Sequence, residues 1–197
     1  RSKNDAIMPR LFAAIVIPEP TALTLDRVRQ PTPGAFWIPP SDMHLTLRFV
    51  GDVDNAHARE FAYELSRVEL PAFSLKLEGL GTFGCDEPRV LWAGVADCEP
   101  LSALARAADR AARNAGLPPD GRTWKPHVTL ARLRYTPLDA VVRILSRKAT
   151  FNTDAFFIAK FALMSAKPGA GGGPYVIEQE FTLTGGQYAD FADEHNY

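Results

Sequence analysis

Two short stretches of this sequence have the residue types needed for acid–base chemistry. His44-Leu45-Thr46-Leu47 lies in the first half of the chain, and His127-Val128-Thr129-Leu130 repeats its pattern in the second half. Successive side chains of a β-strand point to opposite faces, so each stretch would present one imidazole beside one hydroxyl, backed by two apolar side chains. We call residues 44–47 the first tetrapeptide and residues 127–130 the second.

A pair of histidines can supply both partners of a proton transfer. Imidazole has an unperturbed pKa of about 6.5, so one ring can accept a proton while the other donates one near neutral pH. The hydroxyls of Thr46 and Thr129 can donate to anionic oxygens, and two such donors suit a phosphate better than a carbonyl. The pattern therefore predicts acid–base catalysis by His44 and His127 at a charged phosphorus with one leaving oxygen.

Other chemistries have less support in the sequence. One tetrapeptide alone would indicate a strand histidine hydrogen-bonded in a core, and only the duplication favours catalysis. Two histidines can ligate zinc, but no third ligand recurs at matching positions in both halves, so we predict neither a metal nor a cofactor. There is no Gly-x-Ser-x-Gly, and the glycines at 169–173 do not form a nucleotide P-loop. His57 and His195 are expected to be solvated surface groups.

The balanced charge of the chain argues against a polybasic nucleic-acid-binding protein. Lysine and arginine total 22, and aspartate and glutamate total 23, so any contact with nucleic acid must be a local patch. Cys85 and Cys98 are in no zinc-ligand spacing, and nothing resembles a secretory leader or a membrane-spanning run. We therefore expect a soluble, cytoplasmic monomer with no membrane partner.

Strands and helices alternate along the chain. Apolar periodicity predicts helices at about residues 22–28, 55–68, 100–115 and 138–145, and strands at about residues 11–17, 44–51, 73–78, 89–96, 127–132, 155–164 and 175–184. The glycines at 79, 81 and 84 predict a loose connection. Residues 167–174 are predicted to be mobile, and the sequence leaves open whether the Gly169–Gly173 segment within them closes over a substrate.

The chain divides into two halves that each hold helices, strands and one tetrapeptide. This division indicates a weak internal repeat, and two sheets facing each other across a groove would bring His44 and His127 together. Residues 8–185 are expected to form one domain of two lobes, since a chain of this size can bury roughly 70% of its unfolded surface. Residues 1–7 are expected to be a cloning remnant or a loose start, and residues 186–197 a loose tail.

Several further stretches agree with one known family. They are Arg10-Leu11-Phe12-Ala13-Ala14-Ile15, Trp37-Ile38-Pro39-Pro40, residues 44–51, Arg89-Val90-Leu91-Trp92-Ala93-Gly94, Lys125-Pro126 before the second tetrapeptide, Ala131-Arg132 after it, Leu163-Met164-Ser165 and Gly173-Pro174-Tyr175. Across nearly its whole length the chain resembles the two-histidine (2H) phosphoesterases. Within them it is most similar to the LigT-like RNA 2′,3′-cyclic phosphodiesterases, which are also called 2′-5′ RNA ligases.

The resemblance implies an α+β fold of two pseudo-symmetric, mostly antiparallel lobes around a central V-shaped cleft, with no metal required. It implies hydrolysis of RNA 2′,3′-cyclic phosphate ends to 2′-phosphomonoesters, with 2′-5′ RNA ligation as the reverse reaction. By position, His44 resembles the acid and His127 the base. Thr46 and Thr129 would then hold the non-bridging phosphate oxygens.

Four other residues are candidates for substrate contacts. Arg48 and Arg132 could bind phosphate: Arg48 has the strand parity of His44, whereas Arg132 shares the face of His127 only if its strand twists or bulges. Phe49 and Tyr175 are candidates for stacking on a base, although a strand aromatic is more often part of the core.

Two alternatives to an RNA-end phosphodiesterase stay open at this point. The same chemistry could act on a small cyclic-phosphate nucleotide or on a 2′-5′-linked oligonucleotide. A non-catalytic RNA-end binder is the other alternative, although permanently charged arginine or lysine would serve phosphate binding better than histidine does.

Overall fold

The structure, a computed structural model, describes residues 7–84, 86–166 and 175–186. Residues 1–6 (most of the predicted remnant or loose start), Cys85, the segment 167–174 that was predicted to be mobile, and residues 187–197 lie outside the described residues. The predictions for the glycines at 169–173 and for the tail therefore stay predictions. Within the described ranges no helix is long and apolar enough to cross a lipid bilayer.

Strands and helices alternate along the chain as the periodicity predicts. The strands are β1 (Ile7–Val16), β2 (Ala35–Trp37), β3 (His44–Asp54), β4 (Phe73–Leu75), β5 (Leu77–Phe83), β6 (Val90–Val95), β7 (His127–Leu133), β8 (Phe156–Ile158), β9 (Lys160–Ala166) and β10 (Tyr175–Thr182). The helices are α1 (Glu19–Asp26), α2 (Asn55–Ser66), α3 (Glu99–Asn114) and α4 (Leu138–Arg147), and Pro40–Asp42 forms one 3₁₀ turn.

Local sequence signals set the helix boundaries. Asp54 caps α2, because its carboxylate accepts the backbone N–H of His57 at 2.9 Å. Pro100 lies in the first turn of α3, where its missing N–H costs little, and Gly116 takes a positive φ of 77° just beyond the end of that helix. Both helices therefore begin and end within one or two residues of the predicted positions.

The strands form one large sheet rather than the two separate sheets that we expected. Its order is β10-β9-β1-β3-β7-β6-β5, with β2 paired to the end of β7, and β4 and β8 form a small second sheet. All the strand pairs in both sheets are antiparallel. The two lobes of the large sheet meet where β3 pairs with β7, and the register there is the single pair Leu45 and Val128.

An internal two-fold repeat organises this sheet. The series β1-α1-β3-α2-β4-β5 corresponds to β6-α3-β7-α4-β8-β9, and the pairing of β1 with β3 and β9 corresponds to that of β6 with β7 and β5. The β3–β7 and β4–β8 pairs each join two equivalent strands, so exchanging the two repeats leaves these pairs unchanged. The last strand of each repeat therefore pairs with the first strand of the other repeat, which ties the two lobes together.

The sheet has one face in the main core and one face toward the cleft. Leu45, Leu47, Val128 and Leu130 are each at most 2% exposed and pack in the core that the helices cover. The burial of these four apolar side chains fixes which face each tetrapeptide histidine occupies. Phe12 and Ala14 of β1 lie on the opposite face, in a smaller cluster with Ala162 and Met164 of β9.

Two element predictions were wrong. Gly79 and Gly81 lie within strand β5 rather than in a loose connection, and Gly81 is paired with Trp92. A Cβ at Gly81 would lie 2.3 Å from the indole ring of Trp92, so the glycine leaves room for that ring. The single strand predicted at residues 155–164 is two strands that join different sheets, with Ala159 between them.

Candidate active site

The pairing of β3 with β7 brings the two tetrapeptides side by side. In an antiparallel pair with Leu45 opposite Val128, the neighbouring residues put His44 across from Thr129 and Thr46 across from His127. Both histidines and both threonines line one cavity of about 510 Å³ on the cleft face. The structure thus brings together the four residues that the sequence singled out, and the cavity is large enough for a nucleotide.

The two imidazoles are held in the same way. His44 Nδ1 is 2.8 Å from the carbonyl oxygen of Asp42, and His127 Nδ1 is 2.7 Å from the carbonyl oxygen of Lys125. A carbonyl oxygen can only accept, so Nδ1 carries the hydrogen in both rings. The neutral rings therefore have an unprotonated Nε2 that is available to a substrate.

Burial favours the neutral form of both rings. Desolvation lowers the pKa of His44 below its usual value, and the nearby positive charges of His127 and Arg132 lower it further. Desolvation also lowers the pKa of His127, with a smaller contribution from the charge of Lys125. The carbonyl partners oppose these shifts because they stabilise the protonated rings, but in both cases burial is the larger effect.

A β-bulge follows the threonine in each repeat. Ala13 pairs with Arg48 and Ala14 with Thr46, so Leu47 is an extra residue in β3. Leu91 pairs with Ala131 and Trp92 with Thr129, so Leu130 is an extra residue in β7. Each bulge reverses the strand parity beyond it.

The bulges decide which of the next residues face the cleft. Arg132 lines the cavity together with His127, as its strand could permit only with a bulge. Phe49, the equivalent residue in the first repeat, lines the cavity together with His44. The buried Nε–H of Arg132 has no hydrogen-bond partner among the described residues, so this guanidinium is free to donate to an anionic ligand.

The expectation that Arg48 faces the cleft was wrong. Arg48 is 5% exposed and points away from the cavity, where its Nε donates to Asp109 Oδ1 at 2.9 Å and its Nη2 donates to the carbonyl oxygen of Pro118 at 2.5 Å. Its Nη1 donates to the carbonyl oxygen of Phe49 and is 3.9 Å from Asp120. Because of the bulge at Leu47, Arg48 ties β3 to α3 and to the loop that precedes β7.

Aromatic rings flank each histidine. The ring centroid of His44 is 5.0 Å from that of Phe12 and 4.7 Å from that of Tyr175. His127 is 4.8 Å from Phe83 in an edge-to-face arrangement. Tyr175 therefore lies in the cleft as predicted, although the sequence analysis did not single out Phe12 or Phe83.

The loop before β7 contributes cations that the sequence analysis also missed. Lys125 Nζ lies 4.5 Å from the ring centroid of Trp92, and Arg122 lies over Phe49 at 5.1 Å. Both line the cavity, as does Arg10 of β1. Lys125 directly precedes the Pro-His step of the second tetrapeptide, and that proximity was the only signal in the sequence. Together these cations favour an anionic ligand.

A side-chain hydrogen bond from the loop before β7 reaches the strand of the first tetrapeptide beside the cavity. Trp124 Nε1 donates to the carbonyl oxygen of Thr46 at 3.0 Å and so joins the loop before β7 to the strand of the first tetrapeptide. Among the residues that the structure describes, no three His, Cys, Asp or Glu side chains come together as metal ligands.

Comparisons with known proteins agree on one family. Residues 17–166 match the 2′-5′ RNA ligase superfamily. The chain belongs to this superfamily. The matched residues include both tetrapeptides and the strands that hold them, and the family predicted from the sequence is confirmed.

Individual relatives and structures support this membership in the 2′-5′ RNA ligase superfamily. The chain is 32% identical over 155 residues to an RNA 2′,3′-cyclic phosphodiesterase of Aquifex aeolicus, which covers 76% of this chain and 82% of that protein. It is 36% identical over 107 residues to one of Aeropyrum pernix, which covers 53% of this chain and 61% of that protein. The fold matches E. coli LigT complexed with 3′-AMP, with a TM-score of 0.72, 24% identity and coverage of 90% and 99%. The predicted α+β 2H fold is thus confirmed.

Proposed function

We propose that this protein hydrolyses RNA 2′,3′-cyclic phosphate ends to 2′-phosphomonoesters by metal-independent acid–base catalysis. The observation that carries the proposal is the symmetric pair of imidazoles, each fixed through Nδ1 to a backbone carbonyl and each with Nε2 available in a cationic cavity. The relatives from Aquifex aeolicus and Aeropyrum pernix are named RNA 2′,3′-cyclic phosphodiesterases, which supports the proposed substrate. Binding alone would not need two groups that can exchange protons.

The reaction uses one histidine on each side of the phosphorus. His127 Nε2 takes a proton from water, and the water oxygen attacks phosphorus in line with the bond to the 3′ oxygen. That bond breaks as His44, protonated at Nε2, gives its proton to the departing 3′ oxygen. The product has a 2′-phosphate and a free 3′ hydroxyl, and solvent returns both rings to their starting protonation states.

The anionic substrate itself assists the acid. Burial and the neighbouring cations favour neutral His44 in the free protein. A bound cyclic phosphate brings a negative charge next to the ring and so favours the protonated form that the mechanism needs. The hydroxyls of Thr46 and Thr129 and the guanidinium of Arg132 stabilise the charge that builds on the non-bridging oxygens. Phe49 and Tyr175 offer ring faces for the terminal base.

Turnover of a defined RNA end tests the proposed function. An RNA oligonucleotide with a 2′,3′-cyclic phosphate, incubated with the protein and EDTA, is expected to give only the 2′-phosphate, as identified by chromatography against both isomers. Replacing His44 or His127 by alanine is expected to lower kcat by about 10²–10⁴-fold.

The matched control is His57→Ala, because His57 is an exposed histidine of α2 and does not line the cavity. This variant should keep full activity. A 3′-phosphate product, a requirement for added metal, or full activity in the His44→Ala protein would each overturn the proposed function.

A further inference from the structure

A second groove opens directly beside the active-site cavity. It has a volume of about 460 Å³ and shares four lining residues with the first cavity, namely Leu47, Asp120, Arg122 and Trp124. The two spaces are therefore neighbours that share the loop before β7 as a common wall.

Arginines of α3 form the far wall of this groove. Arg106, Arg110 and Arg113 all line it, and their spacing of four and three residues puts them on one stripe of the helix. At 1.5 Å of rise per residue, the stripe runs for about 10 Å along the helix axis. The side chains of Arg106 and Arg113 are 58% and 57% exposed, so this positive surface is open to solvent.

The acidic groups in the groove are already paired. Five arginines line it against two aspartates. Asp109 is held by buried Arg48 at 2.9 Å and by Arg113 at 3.2 Å, and Asp120 is held by Arg122 at 3.0 Å. Arg110 makes no ion pair within 4.0 Å in the described part of the chain. The groove therefore has a net positive charge, although the formal net charge of the whole chain is -1.

We infer that this groove, which we call the α3 groove, holds the phosphate backbone of the RNA strand upstream of the reacting end. The inference rests on the proposed function, because it takes the terminal cyclic phosphate to lie between His44 and His127. Charge complementarity and the position of the groove next to the active-site cavity select a single-stranded polyanion as the occupant. The protein thus acts on oligonucleotide ends in preference to cyclic mononucleotides, and Arg106 and Arg110 contact backbone phosphates rather than the reacting one.

A double variant with a matched control tests this inference. Arg106→Ala/Arg110→Ala removes two groove charges, and Arg143→Ala/Arg147→Ala removes two charges at the same spacing from α4, which lines neither cavity. Each pair includes one arginine with a carboxylate partner, Glu99 for Arg106 and Asp139 for Arg143. Activity on a cyclic mononucleotide, which reaches only the first cavity, reports whether each variant is folded.

The Arg106→Ala/Arg110→Ala variant is expected to have a kcat/KM about tenfold lower on an eight-nucleotide substrate, mainly because KM rises. Its kcat/KM on the cyclic mononucleotide should be unchanged. Its plot of log kcat/KM against log salt concentration should be shallower by about 1.4, because each phosphate contact with a single strand contributes about 0.7. The α4 variant should match the wild type on both substrates.

If kcat/KM on the eight-nucleotide substrate fell equally in the two variants, or in neither, the inference that the α3 groove binds RNA would be overturned. The inference would also be overturned if the wild type had the same kcat/KM on the eight-nucleotide substrate and on the cyclic mononucleotide. Binding of a labelled eight-nucleotide RNA with a 3′-phosphate, followed by fluorescence anisotropy, gives a readout that needs no turnover. A protein that hydrolyses neither substrate would refute the proposed function, while the anisotropy comparison would still decide whether the α3 groove binds RNA.

Discussion

At the scale of single residues, the site depends on two imidazoles that differ little in their surroundings. Each ring donates from Nδ1 to the carbonyl oxygen two positions before it, and each has a pKa lowered mainly by burial. The difference between acid and base must therefore come from the position of the substrate relative to each ring. In the proposed mechanism one ring is protonated while the other is neutral, and the charge of His127 lowers the pKa of His44, so the two titrations belong to the pair.

The pH dependence of kcat/KM follows from these lowered pKa values. The acidic limb of the profile reports protonation of the base, and the alkaline limb reports loss of the proton from the acid, both in the free enzyme. Since burial moves both pKa values down from about 6.5, the midpoint between the two limbs should lie below pH 6.5. A bell centred above pH 7 in a full profile from pH 4 to 9 would show that the rings are not held neutral by burial.

The sequence singled out the histidine and threonine of each tetrapeptide, and its prediction failed at Arg48, the next residue of the first strand. Strict alternation gives Arg48 the face of His44, whereas the structure gives that face to Phe49. An inserted residue in a strand leaves no clear local signal, because Leu47 and Leu130 remain apolar and buried in either register. Arg132 was the one position where the need for a bulge could be stated in advance.

At the scale of elements, Arg48 joins three parts of the fold. It connects β3 to Asp109 of α3 and to the carbonyl of Pro118 in the loop that carries Arg122, Trp124 and Lys125 into the cavity. This contact set explains why a charged residue is 5% exposed within a strand. A positively charged side chain at this position thus supports the wall of the cavity that holds the two histidines without lining that cavity itself.

Replacing Arg48 by methionine should therefore destabilise the protein. The substitution keeps most of the volume but removes the donor to the Pro118 and Phe49 carbonyls and leaves Asp109 and Asp120 with one arginine partner each, Arg113 and Arg122. Because Asp109 and Asp120 are 38% and 26% exposed, we expect a loss of about 2 kcal/mol in the free energy of urea unfolding, less than for a fully buried pair. Arg113→Met removes an exposed partner of the same Asp109 and should cost less than about 1 kcal/mol. Similar losses in the two variants would contradict this role for Arg48.

Most of strand β5 was not predicted, because the reason for its glycines lies outside its own sequence. Gly79 and Gly81 have poor intrinsic preference for strands, so their positions read as a loop. The structure uses the absence of a Cβ at Gly81 to seat the indole of Trp92 near His127. That requirement comes from a neighbouring strand and could not be seen from the local sequence.

At the scale of the whole molecule, the proposed active site forms only because two repeats share one sheet. β3 and β7 each bring one histidine and one threonine, and the β3–β7 pair is the line along which the halves meet. The sequence showed the repeated tetrapeptides, but it could not show that β5 and β9 pair with the opposite repeat. That exchange depends on long-range pairing, which local periodicity does not encode.

The division of labour between the two repeats is the central claim, and one substrate tests it most directly. An RNA end whose bridging 3′ oxygen is replaced by sulfur has a leaving group that departs as a thiolate and needs little help from an acid, since thiols ionise near pH 8.5. The kcat of wild-type, His44→Ala and His127→Ala proteins would be measured on the oxygen and sulfur substrates. We predict that sulfur restores His44→Ala to within about tenfold of wild type, because its defect is the missing acid. His127→Ala should stay slow on both substrates, and restoration of His127→Ala instead would contradict the assigned roles.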